Sequence, residues 1–195
     1  MKETIEYYNR NAEAFIAGTL HANMSENRNR FLCHVKPGGK ILDAGCGSGR
    51  DSLAFVQAGF LVDAFDASEE ICRLASEILG FVVECKRFEE LTGDSEYDGI
   101  WACASLLHVR EKDLPDVLNR LKRLLKPDGI LYASFKEGNS EREKDGRFFH
   151  DMTEDACRKL FLDAGMDVLE LFRSQDVREE RPGEYWVNII GKKGI

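Results

Sequence analysis

An α/β fold, with a mostly parallel sheet covered by helices on both faces, is what this sequence predicts, and three observations carry it. Short apolar runs, among them KILDA at 40–44 and LVDAF at 61–65, alternate with stretches of helical periodicity. The first run ends in a glycine cluster, GCGSG at 45–49, directly before a helical stretch. The 195 residues suffice for one well-buried core and are too few for two comfortable domains. One domain over 1–195 is therefore expected, with 1–36 as a helical cover and 37–195 as the α/β core.

The elements follow in order. Residues 3–17 place Ile5, Tyr8, Ala12, Phe15 and Ile16 on one face, which predicts an amphipathic helix. A second helix is predicted over 25–35, with Ser25 as its N-cap. Pro37, Gly38 and Gly39 turn the chain into a strand at 40–44. A helix at 50–58, a strand at 61–65, a helix at 69–79 capped by Ser68, and a strand at 81–85 follow. Asp63 falls mid-strand, so it needs an edge position or a partner. A fourth strand at 97–104 precedes a helix that starts at Asp113 and is ended by Pro127-Asp128-Gly129. The fifth strand is ILYASFKEG at 130–138. The charge-rich stretch 139–152 reads as a surface loop or lid. Thr153 caps a last helix that closes at Gly165, and strands at 167–175 and 184–192 form a terminal antiparallel pair.

The glycine turn narrows what is bound. Glycines let backbone amides approach a ligand closely, and the following helix points its unpaired amides at the same place. The spacing is G-x-G-x-G rather than G-x-G-x-x-G, with Asp43 two residues before Gly45. An acid so close repels a pyrophosphate and suits a cation. Asp66 ends the second strand, seventeen residues after Gly49, where a carboxylate holds a ribose diol. A ligand with a ribose, a positive centre and no phosphate is favoured over a nicotinamide dinucleotide.

Four blocks in this order, ILDAGCGSG, FDAS, EYDGIWACASLLHV and LKRLLKPDGILYASF, resemble the class I S-adenosylmethionine-dependent methyltransferases, over roughly residues 35–192. The resemblance implies a Rossmann-like, seven-stranded, mostly parallel sheet with one antiparallel strand. It implies S-adenosylmethionine as cofactor and S-adenosylhomocysteine as product. Onto the cofactor it carries Asp43, Gly45, Cys46, Gly47, Gly49, Asp66, Ala67 and Ala104, with Arg87 and Phe88 as candidates beside adenine, where the family's usual pattern is replaced by CKRF. The segment before the first strand closes over the cofactor in such proteins, which brings in Tyr7, Tyr8, Met24 and Arg28 or Arg30 as substrate contacts. The GCGSGRDS variant of the loop is similar to that of the tellurite-resistance methyltransferases, which suggests a soft nucleophile. The exocyclic-amine signature [DN]-P-P-[YFW] and the Pro-Cys pair of cytosine C5 chemistry do not occur.

A methyl sulfonium is already activated, so alignment and exclusion of water are the main demands, and a dedicated catalytic residue is optional. A hydroxyl or ammonium nucleophile needs a base, and His108, just past the fourth strand, is the candidate. His150 and Arg147 in the charged stretch are further substrate candidates, as are Arg173 and Arg178 for an anion. A small-molecule acceptor is expected; RNA or a protein side chain is the alternative, and a non-catalytic cofactor-binding regulator is a third reading. The net charge of −8 disfavours nucleic acid. No apolar run has the length of a membrane span and the first residues lack a signal peptide, so a cytoplasmic location is expected. The six cysteines show no metal-ligand spacing and read as reduced, buried thiols, with Cys103 as a reactive alternative. No metal is expected, and the sequence leaves the oligomeric state open.

Overall fold

The computed structural model describes residues 2–178 and 181–194. Seven strands form one sheet in the order β3-β2-β1-β4-β5-β9-β8. β1 (Lys40–Ala44), β2 (Leu61–Asp66), β3 (Glu84–Cys85), β4 (Tyr97–Ala102) and β5 (Leu125–Lys136) run parallel; β9 (Tyr185–Lys193) is antiparallel to both β5 and β8 (Met166–Gln175). This is the Rossmann-like architecture expected. The order places β1 beside β4 at the point where the strand order reverses, which opens a crevice at their carboxyl ends.

Two apolar layers hold the helices to the sheet. In β4, Ile100 and Ala102 face α5 (Leu114–Leu124) and α6 (Glu154–Asp163), while Trp101 points to the opposite layer. There Trp101 stacks on its register neighbour Tyr132 at 3.8 Å, beside Phe31 of α2 (Ser25–Leu32) and Phe55 of α3 (Arg50–Gln57). The long first helix α1 (Lys2–Thr19) bends at Asn11 and lies against α4 (Glu69–Leu79), where Ala12, Ile16 and Ile71 are buried together. Ser68 and Thr153 cap α4 and α6 through their hydroxyls as predicted.

Several expectations are corrected. Ser25 is the first helical residue and not the cap; its amide is taken by Asn23 Oδ1 at 3.0 Å. β3 is confined to two residues because Ser76 Oγ accepts the Val83 amide at 2.9 Å, which keeps the preceding chain out of the ladder. Pro127-Asp128-Gly129 does not end α5: the strand β5 begins at Leu125 and carries these residues as an irregularity, with Asp128 at φ +62°. Residues 139–152 are not a loop. They hold an antiparallel hairpin, β6 (Glu141–Lys144) and β7 (Arg147–His150), turned at Asp145-Gly146. Cys33 and Cys85 are exposed, contrary to the buried reading. Asp63 meets both of its expected conditions, half-exposed near the sheet edge and paired with Lys40 at 2.6 Å and Tyr97 at 2.8 Å.

Candidate functional site

The turn after β1 is wedged between neighbouring strand ends. Gly45 has φ +80°, and a Cβ there would stand 2.5 Å from Ser105 Cβ; Ser105 in turn donates to the Ala44 carbonyl at 2.6 Å. Gly47, at φ +54°, lies under the Phe15 ring of α1, which a Cβ would approach to 3.1 Å. Only glycine fits either position without strain. The amides do not all point outward, as the turn alone suggests. Gly47 N–H donates to Asp66 Oδ2 at 3.1 Å, and Ser68 N–H to Oδ1 at 3.0 Å. Burial raises the Asp66 carboxyl, and the amides of Ser68, Gly47 and Ala67 oppose that rise.

From this turn a cavity of approximately 230 Å³ runs beneath α1 to the β6–β7 hairpin and the end of β9. Asp43, Gly45, Cys46, Gly47, Asp66 and Ala67 line one end, with Arg87 and Phe88 at its margin. The Phe88 ring packs edge-on against Phe65 at 5.4 Å. Ala104 holds φ +52° where β4 exits, with its amide donating to Ser134 Oγ at 2.9 Å.

Beneath the turn lies a charge network that the sequence did not single out. Asp51 accepts from Arg28 at 2.7 Å, from Arg50 at 3.0 and 2.6 Å, and from Trp101 Nε1 at 3.0 Å. Burial alone would raise its carboxyl; Arg50 and Arg28 more than offset this and hold it low. Asp43, four strand positions into β1, has one strong donor, Ser52 Oγ at 2.6 Å. Burial and the nearby Asp51 charge push Asp43 up to about 7.

At the other end His108 is fixed by both ring nitrogens. Its Nδ1 lies 2.6 Å from the Phe148 carbonyl, which can only accept, so Nδ1 carries the proton. Nε2 is then the acceptor for the Tyr8 hydroxyl at 3.0 Å. Burial depresses His108 to about 4, so it is neutral near pH 7, and the Arg147 charge acts in the same direction. Phe148 N–H donates to Thr4 Oγ1 at 3.0 Å, so α1, the hairpin and the turn after β4 are joined through one short chain of contacts.

Residues 41–129 match a family model described as "Methyltransferase domain". This segment is a methyltransferase domain. It is 35% identical over 111 residues to the putative methyltransferase YqeM of Bacillus subtilis, a match covering 50% of this chain and 44% of that protein. It is 29% identical over 150 residues to the N-terminal Xaa-Pro-Lys N-methyltransferase 1-B of Xenopus laevis, covering 71% and 66%. The structure of Burkholderia thailandensis 1,6-didemethyltoxoflavin-N1-methyltransferase, with bound 1,6-didemethyltoxoflavin and S-adenosylhomocysteine, matches the fold with a TM-score of 0.81 at 22% identity, over 100% of this chain and 87% of that one. The chain spans less than two thirds of the length of these two curated relatives.

The fold brings most of the predicted site residues into one cavity: Tyr8, Met24, His108 and Arg147 join the cofactor-end group already named. Others stand apart. Gly49 caps α3 from the left-handed region and does not line the cavity. Tyr7 lies behind Tyr8, ring edge to face at 5.5 Å. Arg28 is bound to Asp51 instead of facing a substrate, and Arg30 pairs with Glu170 at 3.1 Å. His150 is buried outside the cavity, its Nδ1 without a partner among the described residues. Arg173 is held by Glu137 at 2.7 Å; Arg178 does line the cavity, with the Asp176 carboxylate at 2.6 Å. Cys103 does line the cavity, but its thiol is pushed up to about 12, chiefly by burial and then by Asp51, which disfavours the reactive thiolate. Sequence reasoning also missed Thr4 and the buried Asn27–Tyr132–Asn188 cluster, whose members lie far apart in the chain.

Proposed function

We propose that this chain transfers a methyl group from S-adenosylmethionine to a small-molecule acceptor by in-line displacement. The observation that supports this best is one cavity with Asp66 at one end and the Tyr8–His108 pair at the other, roofed by α1 and walled by the hairpin. The residues fit the cofactor. A Cβ would crowd the cradle at Gly45 and Gly47, and the Asp66 carboxylate, held by amides, has further lone pairs for two ribose hydroxyls. Asp43, kept partly protonated by its neighbours, gains from a cation and suits the methionine end. When bound, the cofactor supplies a methyl group on a positive sulfur with a neutral leaving group.

The chain's own contribution is alignment and exclusion of water, worth about 7–11 kcal/mol when geometry is near that of attack. Tyr8 donates its proton to His108 Nε2, and its oxygen, which Arg147 also engages, keeps a second lone pair for an acceptor hydroxyl or amine. His108, with its affinity for protons lowered to about 4, is a positioning residue for Tyr8 rather than a store for the acceptor's proton. The covered acceptor end favours a compact molecule over RNA or a folded protein, and the −8 charge counts against RNA.

Incubation with methyl-labelled S-adenosylmethionine and three acceptor pools, a small-metabolite extract, total RNA and a peptide library, tests this. Label is expected in the metabolite fraction. Label confined to RNA or peptide removes the small-molecule reading; tight S-adenosylhomocysteine binding with no transfer to any pool supports a regulator instead.

A further inference from the structure

Arg147, the first residue of β7, brings into the cavity a charge for which the surrounding protein supplies little compensation. Its side chain is only 14% exposed, and the one carboxylate within 4 Å among the described residues, Asp145 at 3.9 Å, is itself 64% exposed. Its Nε is buried and has no hydrogen-bond partner among the described residues. The guanidinium is held on its faces instead, 4.4 Å from the Tyr7 ring centroid and 5.2 Å from that of Phe149. Two other basic groups at the cavity are matched, Arg50 by Asp51 and Lys136 by Glu184.

Ring contacts fix the plane of a guanidinium but do not answer its in-plane N–H groups; here the Tyr8 hydroxyl engages the guanidinium, while Nε is left without a partner among the described residues. Removing a cation from water without a counter-charge is costly, and a planar fork of donors is the shape that a carboxylate answers with two parallel hydrogen bonds. Arg147 also lies close enough to Tyr8 to offset part of the effect of burial on its hydroxyl. An anion docked on the fork therefore sits beside the group that faces the nucleophile.

We propose that the methyl acceptor is a compact organic anion, a carboxylate, docked on Arg147 with its nucleophilic atom next to Tyr8. This rests on the methyl-transfer reading and adds the acceptor's charge class to it. The acceptor's oxygens answer the guanidinium where it lines the cavity, and Phe149, which lines the same wall, suits an acid with a flat apolar body.

The test uses the full chain saturated with S-adenosylhomocysteine, at constant ionic strength, with benzoate and its neutral isostere benzamide as probes in thermal-shift and calorimetric titrations. Benzoate is expected to bind and raise Tm while benzamide does not. In R147Q the affinity for benzoate falls by about tenfold or more, and R147K retains a weaker response. Unliganded R147Q is at least as stable as the wild type, since an uncompensated charge has left the interior. Equal responses to the two probes, or an unchanged benzoate response in R147Q, overturn the proposal. So does an R147Q protein that is destabilised or unfolded, which marks a structural arginine. Failure of S-adenosylhomocysteine itself to bind defeats the methyl-transfer reading instead, so the two failures are distinguishable.

Discussion

The two ends of the cavity are built by different means. At the Asp66 end the contacts are between backbone and a nearby carboxylate: Gly47 to Asp66 and Ser68 to Asp66 join residues within twenty positions of one another. At the Tyr8 end they join side chains with segments a hundred or more residues away, Tyr8 to His108 and Thr4 to Phe148. The first end is set by two adjacent strands of the sheet, and the second exists only once α1 and the hairpin have closed against it. A common cofactor suits the rigid end and a particular acceptor suits the assembled one.

The largest expected effect lies at the rigid end. Asp66→Ala removes the proposed acceptor of two ribose hydroxyls as well as the anchor of Gly47 N–H, so affinity for S-adenosylhomocysteine should fall by about two orders of magnitude or more, at roughly 1.5–3 kcal/mol per charged hydrogen bond. Calorimetry measures this; a loss below tenfold would mean that the two ends are less distinct than their construction suggests. Tyr8→Phe should separate them from the other side. It should lower kcat by about ten- to a hundredfold for a hydroxyl or amine acceptor while S-adenosylhomocysteine affinity stays within twofold. A thiolate acceptor, which has no O–H or N–H to donate to the Tyr8 oxygen, should be unaffected.

The smallest effect is one of pH. In the free protein Asp43 has been pushed up to about 7, so between about pH 4 and 7 the folded state holds a proton that the unfolded chain has released, and this group's contribution to stability falls as pH rises through that window. A bound cation favours the ionised form, so affinity for S-adenosylmethionine should rise about tenfold between pH 6 and pH 8. In Asp43→Asn the profile should be flat across this range, and stability at pH 8 should exceed that of the wild type. A wild-type profile without a rise near 7 would place the cation away from Asp43.

How much was legible in the sequence follows the same division. α3, α4 and the strands β1 and β2 lie within a residue of their predicted limits, because their signals are local: an apolar run, a glycine turn, a serine cap. Asp66 could be singled out for the same reason. The hairpin at 141–150 was missed although its turn signal, Asp145-Gly146, is present; the density of charge in EREKDGR masked the alternation on either side. The Asp51 network was missed because nothing local shows that Arg28, twenty-three residues upstream, folds back onto it. His108 was found, but its tautomer and its hold on Tyr8 depend on Phe148, which belongs to the segment read as a loop.

The chain has two tryptophans, and the fold gives them unequal surroundings. Trp101 has no exposed surface and lies flat on Tyr132, so its fluorescence is a constant background. Trp186 lines the cavity, donates to Asp176 at 3.1 Å and has the Lys136 ammonium 5.5 Å from its ring. Light emitted by the native protein therefore carries a local signal from the region beside Arg178 and Lys136, and occupancy there can be followed without attaching a dye.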